Sequence, residues 1–208
     1  MSRRLLPSGE SAVLVECDSL DEVLALHDAL AADRRPGVVE LVPAARTVLV
    51  GVDADQLPLE SAMTWIRRIP LAVPTAGRQG AGDAATIRVV YDGDDLAATA
   101  RLLGITTEAL VAAHQAADWR VAFAGFAPGF GYLVCDDWPY QVPRLDAPRT
   151  RVPAGAVALA GAFAGVYPRQ SPGGWRLIGR TDAVLWDAQA DPPALLAPGR
   201  RVRFEAAV

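Results

Sequence analysis

Apolar positions in the first third of the chain fall into two spacings. Ser11 to Glu16 (SAVLVE) alternates and is β-branched, which predicts a strand. Ser19 and Glu22 then form an S-x-x-E capping box, and Leu20, Val23, Leu24 and Leu30 recur at helical spacing until Pro36 and Gly37 end the pattern. A helix over 20–32 follows. Val38 to Val42 and Thr47 to Val52 read as strands joined by a turn at 44–46, and Leu59 to Ile69 as a second helix stopped by Pro70. The order β-α-β-β-α, with Leu71 to Val73 as a candidate closing strand, is that of a small ferredoxin-like α+β domain. Nothing in it points to catalysis.

The segment PTAGRQGAGDAA is rich in glycine and poor in apolar side chains, so it marks a boundary. The expected division is a first domain over 1–75, a linker over 76–85 and a second domain over 86–208. Thr86 to Tyr91 resumes as a strand. Asp92 to Asp95 then supplies turn and N-cap residues for a helix to Leu103, a better account of those carboxylates than a calcium loop. Thr106 or Thr107 opens another helix, to Ala116, with His114 near its C-terminal end, where the helix dipole favours a cation. Both a structural and a catalytic role stay open for His114. Trp119 to Phe126 is a strand pattern that runs into a Pro128-Gly129 turn, with Phe126, Phe130 and Tyr132 expected at a strand end or pocket rim. Val157 to Ala160, Gly174 to Ile178, Val184 to Asp187 and Arg201 to Glu205 are further short strand patterns, and Pro192 to Leu196 a single helical turn. Many short strands with few helices predict a closed or nearly closed β structure.

Composition narrows the function classes. The longest apolar runs among the 208 residues fall short of the ~20 needed to span a bilayer, and the first residues lack a secretory apolar core, so the expected location is the cytoplasm without a membrane. Cys17, Cys135, His27 and His114 show no metal-ligand spacing, so no metal site is expected. All 20 basic residues are arginine. Without lysine there is neither a Schiff base nor a phosphate-cradling P-loop, so any ATP must be held largely by another polypeptide. The net charge is −4, yet Arg144, Arg149, Arg151, Arg169, Arg176 and Arg180 face only one acid, Asp146, across residues 144–180. Guanidinium forks on a glycine-rich segment suit a small anionic substrate or an acidic partner. An acidic total argues against nucleic acid.

Four motifs in order carry a resemblance: GFAPGFGYL (Gly125 to Leu133), PRLDAPRTRVPAGAVAL (Pro143 to Leu159), GVYP (Gly165 to Pro168) and SPGGWRLIGRT (Ser171 to Thr181). The chain resembles the family of the 5-oxoprolinase B subunit, also described as allophanate hydrolase subunit 1, which includes an inhibitor of a sporulation histidine kinase. The resemblance implies a ferredoxin-like N-terminal domain and a cyclophilin-like β-barrel C-terminal domain. It also implies a larger homologous C component as partner, together with an A component, in an assembly where ATP with Mg2+ drives opening of 5-oxo-L-proline to L-glutamate.

On that reading, Arg149, Arg151 and Arg180 hold a carboxylate or phosphate, and Gly129, Gly173 and Gly174 let backbone approach it closely. Phe130, Tyr132, Tyr167 and Trp175 form the apolar wall, and His114 is the candidate proton carrier. Phe163, Ala164, Ala156 and Arg200 stand where the family often has glutamine, threonine, serine and aspartate, which removes ligand hydrogen bonds and bears on the substrate more than on the fold. Two alternatives remain: a regulatory protein that docks on a histidine kinase through its barrel, and an allophanate or urea-type hydrolase. The last ranks below oxoprolinase because no serine–lysine pair or other amidase nucleophile is recognisable.

Overall fold

Alternating burial along two strands organises the first part of the chain. In the computed structural model, which describes residues 3–70 and 84–207, β1 (Leu5–Pro7) and β2 (Ala12–Glu16) pair antiparallel, and β2 pairs in turn with the later strand at Thr47–Val52. Val13, Val15, Val48 and Val50 all turn to one face and are fully buried. Side chains alternate across a strand, so one apolar face needs one cover. α1 (Leu20–Ala32) and α2 (Leu59–Arg68) supply it through Val23, Leu26, Leu30, Ala62 and Ile66. The capping box forms at the start of α1: the Ser19 hydroxyl accepts from the Glu22 amide at 3.2 Å, and the Glu22 carboxylate reaches back to the Asp18 amide at 2.8 Å. With β3 (Val38–Pro43) and β4 (Thr47–Val52) the sheet order is β1-β2-β4-β3. β1 is an unforeseen strand, because three residues ending in proline carry too short a pattern to read. The expected closing strand at Leu71 to Val73 and linker residues 76–83 lie outside the described residues. Contacts divide the chain into compact units of residues 1–78 and 79–208.

In the second unit, β5 (Ala85–Val89), β6 (Trp119–Ala124), β7 (Gly131–Val134), β8 (Arg149–Val152), β9 (Ala156–Ala160), β10 (Phe163–Val166), β11 (Ser171–Gly173), β12 (Arg176–Arg180) and β13 (Arg201–Ala206) follow one another. Seven of them form one sheet in the order β12-β9-β10-β7-β6-β13-β5, while β8 pairs with β11. Val90 and Arg180 then exchange both backbone hydrogen bonds at 2.9 Å, which joins the two ends of that sheet. The result is a nearly closed barrel. α3 (Leu96–Leu102) packs on β12 and α4 (Thr107–Ala116) on β13. No single described helix is long and apolar enough to cross a membrane; α3 and α4 pass that test only as a pair, bent by 92°. The chain is thus α+β, a ferredoxin-like unit followed by a cyclophilin-like barrel.

β9 shows how the sequence builds this. Its residues AVALA are all buried, but Val157 and Leu159 face the barrel interior with Val121, Leu133, Val166 and Ile178, whereas Ala156, Ala158 and Ala160 face outward. Small side chains on the outer face leave room for a second layer of aromatic rings.

Five expectations are corrected. Val184 to Asp187 is not a strand and Pro192 to Leu196 not a helical turn: the two segments lie against each other through one bridge, Trp186 to Ala194, because Pro192 and Pro193 have no amide to extend a ladder. The Asp95 side chain does not cap α3. It bonds the Leu177 amide at 2.7 Å and Arg149 at 2.8 Å instead. The β6 strand stops at Ala124, two residues early, because Phe126 takes a left-handed backbone. His114 is not a cation at a helix end, because it is wholly buried in the apolar core of the second unit.

Candidate functional site

The outer aromatic layer begins where β6 ends. Gly125 accepts from the Ala127 amide at 2.7 Å and Ala127 from the Phe130 amide at 3.0 Å, folding 125–130 into a tight loop. Within it Phe126 has φ = +67°, the one described residue other than glycine with a positive φ. Its ring is 56% exposed and leans edge-on against Phe130 at 5.3 Å and Tyr167 at 5.9 Å. At the foot of the loop Gly129 (φ = +83°) presses against the next segment, since a Cβ there would lie 2.9 Å from both the Leu185 carbonyl oxygen and Trp186 Cβ. Only glycine satisfies both the conformation and the approach. Trp186 stands beside it, 44% exposed.

Behind Phe126 the rings interlock. Phe130 meets Tyr132 at 5.1 Å, Trp175 at 5.4 Å and Tyr167 at 5.5 Å, all edge to face, and Tyr132 stacks on Phe123 at 4.4 Å. Phe130, Tyr167 and Trp175 are buried, while Tyr132 and Phe163 keep part of their surface open. The glycines beneath are packing devices: a Cβ on Gly165 would lie 2.9 Å from Phe130 and 3.0 Å from Trp175, and one on Gly173 would overlap the Tyr167 hydroxyl. Gly174 is less confined, with Pro148 at 3.5 Å. Burial raises the phenol pKa of both Tyr132 and Tyr167, and the Arg144 charge opposes it in both. At Tyr167 the backbone of Trp175 opposes it more strongly than Arg144 does.

The arginines are distributed, not pooled. Arg149 and Arg151 are two residues apart on β8, so they share the side opposite the fully buried Val152. Arg149 gives one Nη to Asp95, while its other Nη is buried and has no hydrogen-bond partner. The Asp95 hydrogen bond raises its pKa further. Arg151 donates to Gln170 at 2.6 Å, and the exposed Arg180 pairs with Asp92 at 2.9 Å on the barrel seam. Each of the three finds a partner of its own. Arg144 is the cation whose charge reaches both phenols. The Pro143-Arg144 pair is its signal in the sequence, yet only the fold brings it beside them.

His114 is elsewhere. It is wholly buried among Tyr91, Trp119, Trp138 and Phe204, with Nδ1 at 2.8 Å from the Tyr91 hydroxyl and Nε2 without a partner. Burial lowers its pKa to about 3, so it is a neutral core residue at ordinary pH. Among the described residues no three His, Cys, Asp or Glu side chains cluster to hold a metal ion.

A family model spans the motifs that build this face: residues 3–196 match the carboxyltransferase domain, subdomain C and D. The chain belongs to that family. Similar proteins include the 5-oxoprolinase B subunit of Escherichia coli O157:H7, 45% identical over 121 residues, and that of Bacillus subtilis, 33% identical over 182 residues. These matches cover 57% and 81% of this chain, and 56% and 75% of the two relatives. The chain therefore spans little more than half the length of the first. The crystal structure of TTHA0988 is 34% identical with a TM-score of 0.74, covering 95% of this chain but 40% of its own. The Kluyveromyces lactis urea amidolyase has the same fold at 18% identity, with a TM-score of 0.78 over 99% of this chain and 15% of its own. The family expected from the four motifs is the one found.

Proposed function

We propose that this chain is the small subunit of a heteromeric ATP-dependent amide hydrolase of the 5-oxoprolinase type. Its aromatic face, with Arg144, Arg149 and Arg151, receives the anionic end of the substrate in a cleft that a larger homologous polypeptide completes. Phe126 carries the reading. A left-handed backbone costs a bulky residue roughly 1–2 kcal/mol, and this one holds a ring out into solvent. Such strain persists where a site needs it.

Other observations support the same reading. Relatives named as the B subunit of 5-oxoprolinase imply further subunits, and the equivalent of this chain is under half of TTHA0988. The buried, unpaired Nη of Arg149 is a donor suited to a carboxylate. With no lysine to cradle phosphates, ATP and its Mg2+ are assigned to the partner polypeptides. In the reaction the ring C–N bond of 5-oxo-L-proline breaks and its nitrogen becomes the amino group of L-glutamate. One water opens the ring and a second is consumed as ATP becomes ADP and phosphate. This chain's part is to bind and orient. His114 is reassigned from proton carrier to core packing, and Arg180 to the barrel seam.

Co-expression with the larger homologue and the third component, followed by an assay of ATP-dependent glutamate release from 5-oxoproline, tests the assignment. No turnover by a complete, folded assembly would defeat it. The exposed Phe126 and Trp186 favour a second reading, docking on a histidine kinase, since aromatic side chains are enriched at binding hot spots. Recovery of a kinase but no larger homologue in a pull-down would prefer it.

A further inference from the structure

Arg144 differs from Arg149, Arg151 and Arg180 in having no partner. Among the described residues its exposed side chain makes neither an ion pair nor a hydrogen bond. Its backbone is nevertheless held on both sides: the Pro143 carbonyl accepts from Arg176 Nε at 2.8 Å, and the Leu145 amide donates to the Gly174 carbonyl at 2.8 Å. Gly174 leads directly into Trp175, whose ring packs 5.6 Å from that of Tyr132. This clamp holds Arg144 beside the aromatic layer, where its charge reaches the Tyr132 phenol.

The two phenols of this layer are not equivalent. Tyr167 is 2% exposed, and its hydroxyl is closed in by Gly173, where a Cβ would overlap it. Tyr132 keeps part of its surface open, and its hydroxyl has no hydrogen-bond partner among the described residues. Its ring cannot swing freely: it stacks on Phe123 at 4.4 Å and meets Phe130 at 5.1 Å and Phe163 at 5.7 Å edge to face. The direction of its O–H is therefore set before any ligand arrives. Burial raises the pKa of that phenol, so at neutral pH it stays protonated and donates.

We infer that Arg144 and the Tyr132 hydroxyl together read a single carboxylate borne on a compact apolar ring, an inference that rests on the aromatic face being a substrate site. The phenol donates to the carboxylate and Arg144 supplies the opposing charge. The open parts of Tyr132 and Phe163 give the ring an apolar surface. The Arg149 charge is already matched by Asp95, so one unpaired guanidinium balances a monoanion and leaves a phosphate dianion short of a partner.

The test is ligand-observed NMR titration of the full chain with cyclopentanecarboxylate and with its uncharged counterpart, cyclopentanecarboxamide. Saturable binding of the carboxylate is expected at millimolar concentration or below, with the carboxamide roughly tenfold or more weaker. Arg144→Gln, an exposed change that leaves the melting temperature unaltered, brings the carboxylate down to the level of the carboxamide. Tyr132→Phe keeps the packed ring and weakens the carboxylate by about threefold or more. No saturable binding of the carboxylate, equal binding of the two probes, or binding indifferent to either substitution would overturn the inference. The probes report binding without turnover, so an assembly that fails to release glutamate would defeat the assignment above and leave this result readable.

Discussion

Asp95 and Arg149 meet at 2.8 Å across 54 positions of sequence, and the second Asp95 oxygen holds the Leu177 amide at 2.7 Å. One largely buried carboxylate thereby ties the start of α3, strand β8 and strand β12 into a single piece, and it aims Arg149. Asp95→Ala is expected to lower unfolding free energy by about 3 kcal/mol, because it leaves a guanidinium and a buried amide unpaired. Asp95→Asn, which keeps an acceptor for the amide, loses less. Denaturant unfolding of the three proteins checks the order.

The pH dependence of stability follows from His114. The folded protein holds it neutral down to about pH 3, whereas the unfolded chain takes up a proton near the ordinary histidine value of 6.5. Between these values the unfolded state binds more protons, so stability falls as the pH drops through that window and is unaffected by this group above it. His114→Phe fills the ring position without a titrating group. Its stability relative to wild type is expected to rise steadily from pH 6.5 towards acid; parallel curves would refute the assignment.

Gly165 sits under two rings, so Gly165→Ala must push Phe130 and Trp175 aside. Overpacking of this kind costs about 2 kcal/mol. Near-ultraviolet circular dichroism is expected to lose aromatic signal while far-ultraviolet signal stays, since the barrel ladder is untouched.

Phe126→Gly removes a side chain that the backbone disfavours. Unfolding free energy is expected to stay level or rise by up to about 1 kcal/mol, the lost ring contacts offset by relief at φ = +67°. A marked drop in melting temperature would show that Phe126 serves packing and not a partner or ligand.

Much of the fold is legible in the sequence because it is written locally. The capping box at Ser19 and Glu22, the stop at Pro36-Gly37 and the alternation of β4 need only neighbouring residues. What escapes is long-range. Nothing near Asp95 tells that its carboxylate crosses to Leu177 and Arg149 instead of capping α3, and nothing near His114 tells that rings from Tyr91, Trp138 and Phe204 enclose it. Phe126 reads as a rim aromatic, but its left-handed backbone is imposed by a loop closed at both ends. The glycines read as room for a ligand, whereas Gly129 and Gly173 make room for Trp186 and Tyr167. Arg149 and Arg151 do share a strand face; Arg180 belongs to the seam with Asp92.

The proposed function requires this chain to supply one wall of a shared active site. The most direct measurement is ATP-dependent L-glutamate release from 5-oxo-L-proline by the reconstituted assembly, run with wild-type chain, with Phe126→Gly and with this chain left out. Turnover is expected with the first, at least about a tenfold loss with the second at undiminished assembly, and none with the third. Full turnover without this chain, or with its Phe126→Gly form, would contradict it.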